Sequence, residues 1–343
     1  MSIGIKLAEK GLVPDLFIKS GIRNLVRVRL DEIKEFNRAS RDAEGDFARE
    51  MQNSPIAIHT KEANSQHYEV PSIFFNLALG KRLKYSSCYY HGDEDLDTAE
   101  ENMLEIYGKR AGIKDGMKIL DLGCGWGSFS LWAAEKFPNS NITGVSNSSG
   151  QRDYIMGQAQ AKGLNNLQII TADVNHFDID EKFDRIVTVE MMEHMRNYEL
   201  LLNKMSKFLT DDGRLFIHIF THKNTPYPFE TEGEENWMGK YFFTGGIMPS
   251  RHLLKRFDKD FAIDQQWEVS GRHYQKTALG WLRNMDAHQE QIMDVFVDTY
   301  GPKEARLWVN RWRIFFLSCA EMFGYRNGEE WGVSHYLLSK KAT

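Results

Sequence analysis

The sequence predicts an α/β fold built on a mostly parallel sheet, and three observations carry that reading. From residue 117 onward, short apolar runs alternate with stretches of helical period. The runs 117–122, 141–146, 167–172, 183–189 and 214–220 each have the length of one buried strand. Between the first run and the helical stretch at 129–137 lies Gly123-Cys124-Gly125-Trp126-Gly127-Ser128, a glycine turn. Such a turn lets the backbone bend sharply and approach a ligand, while the helix N-terminus behind it offers free N–H groups.

The elements follow in chain order. Residues 1–54 read as helical, with Leu7, Leu12, Leu16, Phe17, Ile22 and Leu25 as an apolar set. Lys6, Lys10, Lys19, Arg23, Arg27 and Arg29 are interleaved with it, the pattern of a packing helix with a solvated face or of a membrane-surface helix. The packing reading is preferred. Residues 56–92 are dense in aromatics and small hydroxyls, and Tyr85 to Tyr90 read as a pocket lining, against the alternative of a buried connection. Residues 96–111 form a helix leading into the first strand. The run 183–189 leads directly into Glu190, Met191, Met192, Glu193 and His194. One helical turn there places both carboxylates and the imidazole near one face, the usual makings of a general base. The alternative is an amphipathic turn whose acids cap a helix. His218 lies inside the run 214–220 and reads as a satisfied core histidine. Residues 221–239 form a polar lid or substrate loop, 261–270 a strand, 273–300 and 302–324 two long helices, and 331–339 a closing strand.

The chain has 343 residues, 42% of them hydrophobic and 27% charged, which suits a packed core rather than disorder. Its 43 Lys and Arg against 48 Asp and Glu give a net charge of −5, which argues against a nucleic acid partner. Cys88, Cys124 and Cys319 are far apart and odd in number, so neither a disulfide framework nor a metal site is indicated. No signal-peptide pattern and no apolar run of the ~20 residues that a membrane helix needs is found. The expectation is a cytoplasmic protein without an integral membrane segment.

The glycine turn discriminates between ligands. Gly123-x-Gly125-x-Gly127 lacks the G-x-G-x-x-G spacing of a dinucleotide site and the Gly-Lys-Ser/Thr ending of a P-loop. An acid, an apolar residue and then G-x-G-x-G resembles the signature of S-adenosylmethionine (SAM) methyltransferases. SAM carries no phosphate, so the glycines serve close approach, and Asp121 is placed to hold the ligand's ammonium. At the ends of the next strands, Ser146, Asn147 and Gln151 are candidates for ribose hydroxyls and Asp173 for adenine.

Read together, YEVPSIFF, GKRLKYSSCYY, LDLGCGWGS, GVSNSSGQ, EMMEHMRNY, YFFTGGIMPS, HYQKT and FGYRNGEEWGVSH resemble one family from Tyr68 to Lys340. It is the cyclopropane-fatty-acid-synthase-like branch of class I SAM methyltransferases, and within it the coclaurine N-methyltransferase group. The resemblance implies a Rossmann-like class I methyltransferase sheet, mostly parallel with an antiparallel closing strand, plus helical N-terminal and cap regions. Residues 1–60 are then a helical N-terminal extension and 61–343 the methyltransferase domain, with a helical substrate-cap insertion at about 221–325.

The resemblance further implies that Tyr85 and Ser86 contact the methionine part of SAM, with Gly123 and Gly125 beneath it. Asn147 and Gln151 hold the ribose, and Asp173 and Val174 flank the adenine. Glu190, Glu193 and His194 match the acid-acid-histidine cluster of the amine enzymes, whereas the lipid enzymes carry a small residue at the position of Glu190. The lipid enzymes' bicarbonate set falls on Glu193, His218, Tyr274, Ser87 and Phe220, two of which depart from its pattern. Cys319, near a cysteine once proposed as catalytic there, reads as packing. His194, oriented by Glu193, is the expected base, with Glu190 holding the substrate ammonium. Tyr89, Phe242, Phe243, Trp331, His218 and Tyr274 are expected to face the substrate. The expected reaction is methyl transfer to the amine of a small aromatic or alkaloid-like substrate, by a monomer or a homodimer. Two alternatives stand: methyl or methylene transfer to an unsaturated phospholipid acyl chain, and a SAM-binding protein without catalysis.

Overall fold

The structure, a computed structural model, describes residues 3–58, 70–233 and 236–341. Tyr68 and Glu69, where the matched motifs begin, and the boundary between residues 60 and 61 lie outside the described residues.

A seven-stranded sheet organises the chain, in the order β3-β2-β1-β4-β5-β9-β8. Its first five strands are β1 (Lys118–Leu122), β2 (Asn141–Ser146), β3 (Leu167–Thr171), β4 (Phe183–Val189) and β5 (Leu209–His222), all parallel to one another. The final strand β9 (Trp331–Lys340) runs antiparallel between β5 and β8 (Phe261–Ser270). It therefore closes the chain from inside the sheet rather than at its edge.

Both faces of the sheet are covered, and strand alternation assigns each residue to one of them. Ile119, Val187 and Phe216 pack on one face, under α5 (Leu96–Arg110) and α6 (Ser128–Lys136). Leu120, Ile186, Leu215 and Ile217 pack on the other, under α8 (Tyr198–Phe208), whereas α7 (Ser149–Ala161), beside β3, sends Ile155 and Ala159 into the first face's core. Asp121 and His218 share the parity of Ile119 and Phe216, so these two polar side chains enter the α5–α6 layer.

The N-terminal region is three helices: α1 (Ile3–Glu9), α2 (Asp15–Ala39) and α3 (Ala43–Met51), followed after the undescribed stretch by α4 (Ser72–Ala78). The expected apolar set is largely on the wrong side. Leu12, Leu16 and Phe17 are exposed, and α2 instead buries Ile22, Val26, Leu30 and Ile33. That stripe follows the helical repeat, whereas the expected set crosses the break between α1 and α2. The extension is tied to the cap by Arg311 to Glu9 at 3.0 Å, Arg313 to Asp15 at 3.2 Å and Arg23 to Glu321 at 2.5 Å.

The span 221–325 is not wholly a helical insertion. It begins with a two-stranded hairpin, β6 (Tyr227–Pro228) and β7 (Ile247–Met248), around the short α9 (Trp237–Tyr241). It then supplies β8 to the main sheet. The cap proper lies between β8 and β9 and has three helices instead of the two expected: α10 (Gly271–Ala287), α11 (Gln289–Tyr300) and α12 (Ala305–Phe323). The extra break falls at His288, whose ring reaches back 2.9 Å to the Asn284 carbonyl and 2.9 Å to the Leu77 carbonyl. Among the described residues, no helix is long and apolar enough to cross a membrane.

The glycine turn is needed sterically. Gly127 has φ +81°, and a Cβ there would lie 2.6 Å from Ile155 Cγ1. Gly127→Ala is expected to cost about 1–3 kcal/mol of stability, from left-handed strain plus the clash. Urea denaturation at constant m-value checks this, and an unchanged midpoint counts against it.

Candidate active site

A crevice opens at the carboxyl ends of β1, β2 and β4, where the strand order reverses between β1 and β4. Its floor is the glycine turn: the Gly123 and Cys124 N–H groups both donate to the Val145 carbonyl, at 3.0 and 2.9 Å. Asp121 is 2% exposed and accepts a hydrogen bond from Ser130 Oγ at 2.6 Å. Burial pushes its carboxyl up to about 7, with the Ser130 hydrogen bond opposing. All ten residues expected to touch the methyl donor line this one cavity: Tyr85, Ser86, Asp121, Gly123 and Gly125 on one side, Ser146, Asn147, Gln151, Asp173 and Val174 on the other.

The second side is held by local capping. Ser148 caps α7 through the Gln151 N–H, and Ser146 Oγ lies 2.6 Å from Gln151 Oε1. Asp173 Oδ1 accepts from the Asn175 N–H at 2.8 Å. Two features fit a polar adenosyl ligand. Ser128 Oγ, on the cavity wall, is buried with no partner among the described residues. A Cβ on Gly125 would meet nothing within 4 Å, so the turn leaves clearance there.

Glu190 stands at the far end. It follows β4 with φ +46°, a left-handed conformation uncommon outside glycine. Its N–H donates to the His218 carbonyl at 2.9 Å, which fixes the turn. Its carboxylate is caged: Oε1 accepts from the Ser87 N–H at 2.9 Å and lies 3.0 Å from His218 Nε2, and Oε2 accepts from Tyr274 OH at 2.6 Å. Burial raises its pKa above the ordinary carboxylate value, while Lys84, Tyr274 and Ser87 pull it down. Lys84 is itself buried and donates to the Ser87 carbonyl at 2.7 Å.

The expected helical turn is a short 3-10 turn, Met192–His194, and it separates the cluster. His194 reaches the cavity and stacks on Phe243 at 5.6 Å between ring centroids, with 8° between planes. Burial lowers its pKa to about 4, so the imidazole is neutral near neutral pH. Glu193 lies off the cavity wall and fully buried, and its Oε1 accepts from the Phe220 N–H at 2.8 Å. The left-handed step at Glu190 breaks the helical spacing that put the three residues on one face. The anchor of His194 is thus the Phe243 ring, together with its own N–H bond to the Met191 carbonyl at 3.0 Å.

Of the six residues expected at the substrate, Phe243 and Tyr274 line the cavity. His218 does not; it sits behind Glu190, 1% exposed. Phe242 is a core residue stacked on Phe315 at 4.2 Å. Trp331 is buried, donating from Nε1 to Tyr227 OH at 2.9 Å. Tyr89 stacks on His273 at 4.2 Å, outside the cavity. Aromatic composition alone cannot separate a wall from a core. The readings of the cap and the strands missed Trp281, Phe315, Lys84 and Tyr107 on the wall, and His335 behind it. The available signal was polarity out of place: a lysine in an aromatic run, and one histidine in each of two apolar strands.

A parallel sheet with a late antiparallel strand, a glycine turn over a buried acid, and polar side chains at the ends of β1, β2 and β3 define a class I SAM-dependent methyltransferase. Residues 57–330 match the mycolic acid cyclopropane synthetase family. The chain belongs to that family. It is 39% identical to an (S)-coclaurine N-methyltransferase of Thalictrum flavum subsp. glaucum, covering 98% of this chain and 95% of that one. A pavine N-methyltransferase of the same plant is 36% identical over 86% of this chain and 84% of its own. Among solved structures, a coclaurine N-methyltransferase bound to N-methylheliamine and SAH, the demethylated product of SAM, superposes with a TM-score of 0.93. It is 38% identical and covered over 98% of each chain.

The cage around the Glu190 carboxylate is built from groups that remain when that side chain is removed. Glu190→Gly is therefore expected to lose turnover and to regain part of it with added formate, which leaves the wild type unaffected. A flat response of the variant to formate in a methylation assay counts against the cage.

Proposed function

We propose that this chain transfers the methyl group of SAM to the nitrogen of a small aromatic amine, of the alkaloid type that its relatives are named for. The observation that carries this reading is the caged Glu190 carboxylate beside a neutral His194 in an aromatic-walled crevice. A buried carboxylate attracts a cation strongly, and the Phe243, Tyr274, Trp281 and Phe315 rings suit an aromatic ammonium.

SAM supplies an electrophilic methyl carbon on a sulfonium. Asp121, Ser128 and the ends of β2 and β3 bind and orient the donor. Glu190 draws in the substrate ammonium and holds its nitrogen. His194 takes the proton on its imidazole, which frees the lone pair. The nitrogen–carbon bond then forms as the carbon–sulfur bond breaks, leaving a neutral thioether. The new imidazolium faces Glu190, whose charge favours it. Positioning of this kind is worth about 7–11 kcal/mol.

The lipid alternative loses ground at Glu190. Of the positions matched to the bicarbonate set, His218 and Tyr274 grip the Glu190 carboxylate, and Phe220 binds Glu193. The chain's own carboxylate stands within that set. A binding-only protein has no use for a buried acid and a neutral base at the donor's methyl end.

Glu190→Ala and His194→Ala are each expected to lower kcat by about 100-fold or more, the usual span of a proton-transfer group. SAH affinity by calorimetry is expected to stay within a few-fold. Normal turnover by both variants overturns the reading. In a screen of secondary and tertiary amines with SAM, the expected product is heavier by one methyl. Incorporation of label into phospholipid acyl chains instead selects the lipid reading.

A further inference from the structure

Behind Glu190 runs a line of side chains that methyl transfer, as described, leaves unused. β5 and β9 pair antiparallel with His218 opposite His335, so both rings stand on one face of the sheet. His218 Nδ1 lies 2.8 Å from Tyr107 OH and 2.9 Å from His335 Nε2. His335 Nδ1 in turn lies 2.6 Å from Arg110 Nη1. Arg110 is the last residue of α5, and its guanidinium covers the Trp267 ring at 4.9 Å. Both histidines are essentially solvent-free.

The direction of every link follows from one end. A guanidinium only donates. His335 Nδ1 therefore accepts, and that ring carries its proton on Nε2. This proton points at His218 Nδ1, whose single lone pair accepts it. The His218 proton is then on Nε2, aimed at Glu190 Oε1. Each link donates toward the carboxylate. The line ends at a group that cannot take a proton, so it is no exit route for one.

We propose that Arg110 is a positioning residue for methyl transfer: it fixes the tautomers of His335 and His218 and so keeps Glu190 an acceptor for the substrate ammonium. The proposal rests on the amine reading above. Without the guanidinium, His335 is free to carry its proton on Nδ1. His218 then donates toward His335 and turns a bare Nε2 at Glu190, which must take up a proton to meet it. A protonated Glu190 has no charge for an ammonium.

Other groups facing Glu190 set the background. Lys84 favours its ionised form, and Glu193 opposes it. His194 and Tyr274 also favour the ion, while Tyr107, Cys88 and Cys319 face it with protons that burial holds in place. Arg110→Met keeps every one of these side chains and removes a charge that acts on Tyr107, which burial holds protonated, so a shift at Glu190 on that substitution reports the relay.

The test has two arms on the full-length enzyme. In long-range proton–nitrogen spectra of histidine-labelled wild type, His218 and His335 are expected as Nε2–H tautomers, assigned through single-histidine variants. Either ring found as Nδ1–H overturns the proposal, and this arm needs no substrate, so it stands apart from any failure of the amine reading. In kinetics, Arg110→Met is expected to raise the amine KM about tenfold and to move the acid limb of kcat/KM up by about one pH unit. SAH affinity is expected to be unchanged, and Arg110→Lys, which keeps a charged donor, to restore most of the loss. An unmoved acid limb, or a loss of SAH affinity in step with activity, marks Arg110 as structural and overturns the proposal. If Arg110→Met does not fold, the wild-type spectra still decide.

Discussion

A carboxylate removed from water must be surrounded by donors, and the Glu190 side chain is removed almost completely. Its donors come from separate parts of the chain: the Ser87 amide from the segment before α5, the His218 ring from β5, and the Tyr274 hydroxyl from the cap helix α10. Each can reach Glu190 only if its own element is in register. Satisfying one buried charge therefore ties the sheet, the cap and the aromatic segment before α5 into a single arrangement. The left-handed backbone at Glu190 belongs to the same constraint, since it turns the carboxylate into the cage while the N–H closes onto the His218 carbonyl.

The route of the last strand makes that arrangement reachable. Because β9 returns between β5 and β8, the helices joining β8 to β9 must leave and re-enter the sheet beside the crevice. They cover it as a result, and Trp281, Phe315 and Tyr274 become its walls. The same pairing sets His335 against His218. The N-terminal helices then brace the cap through Glu9 and Asp15, which explains why α2 buries a stripe different from the one its first turns suggest.

Much of the cavity lining at the strand ends was legible in the sequence, and little of its aromatic wall. Asp121 through Val174 were readable because each lies at or just beyond a strand end, and parallel strand ends converge on one crevice whatever the loops do, whereas Tyr85 and Ser86, in the segment before α5, came from the family resemblance. The rings were not. Phe242 and Phe243 are neighbours in sequence, yet one is core and the other wall, a distinction set by how α9 meets α12. Glu193 looked like the partner of His194 because the two are adjacent in sequence, and the structure sends its carboxylate to the Phe220 amide.

What the sequence determined by itself is the alternation of strands and helices, the glycine turn and the polar residues at the strand ends, because period and turn chemistry are local. What only the tertiary structure decided is which polar residues share a partner. His218 reads as a core histidine in its strand; the β4–β5 register sets it beside Glu190, and only the pairing of β9 makes it a link from His335 to that carboxylate. Hydrogen-bond direction between residues more than a hundred positions apart is written in no local pattern, since it depends on where the chain returns.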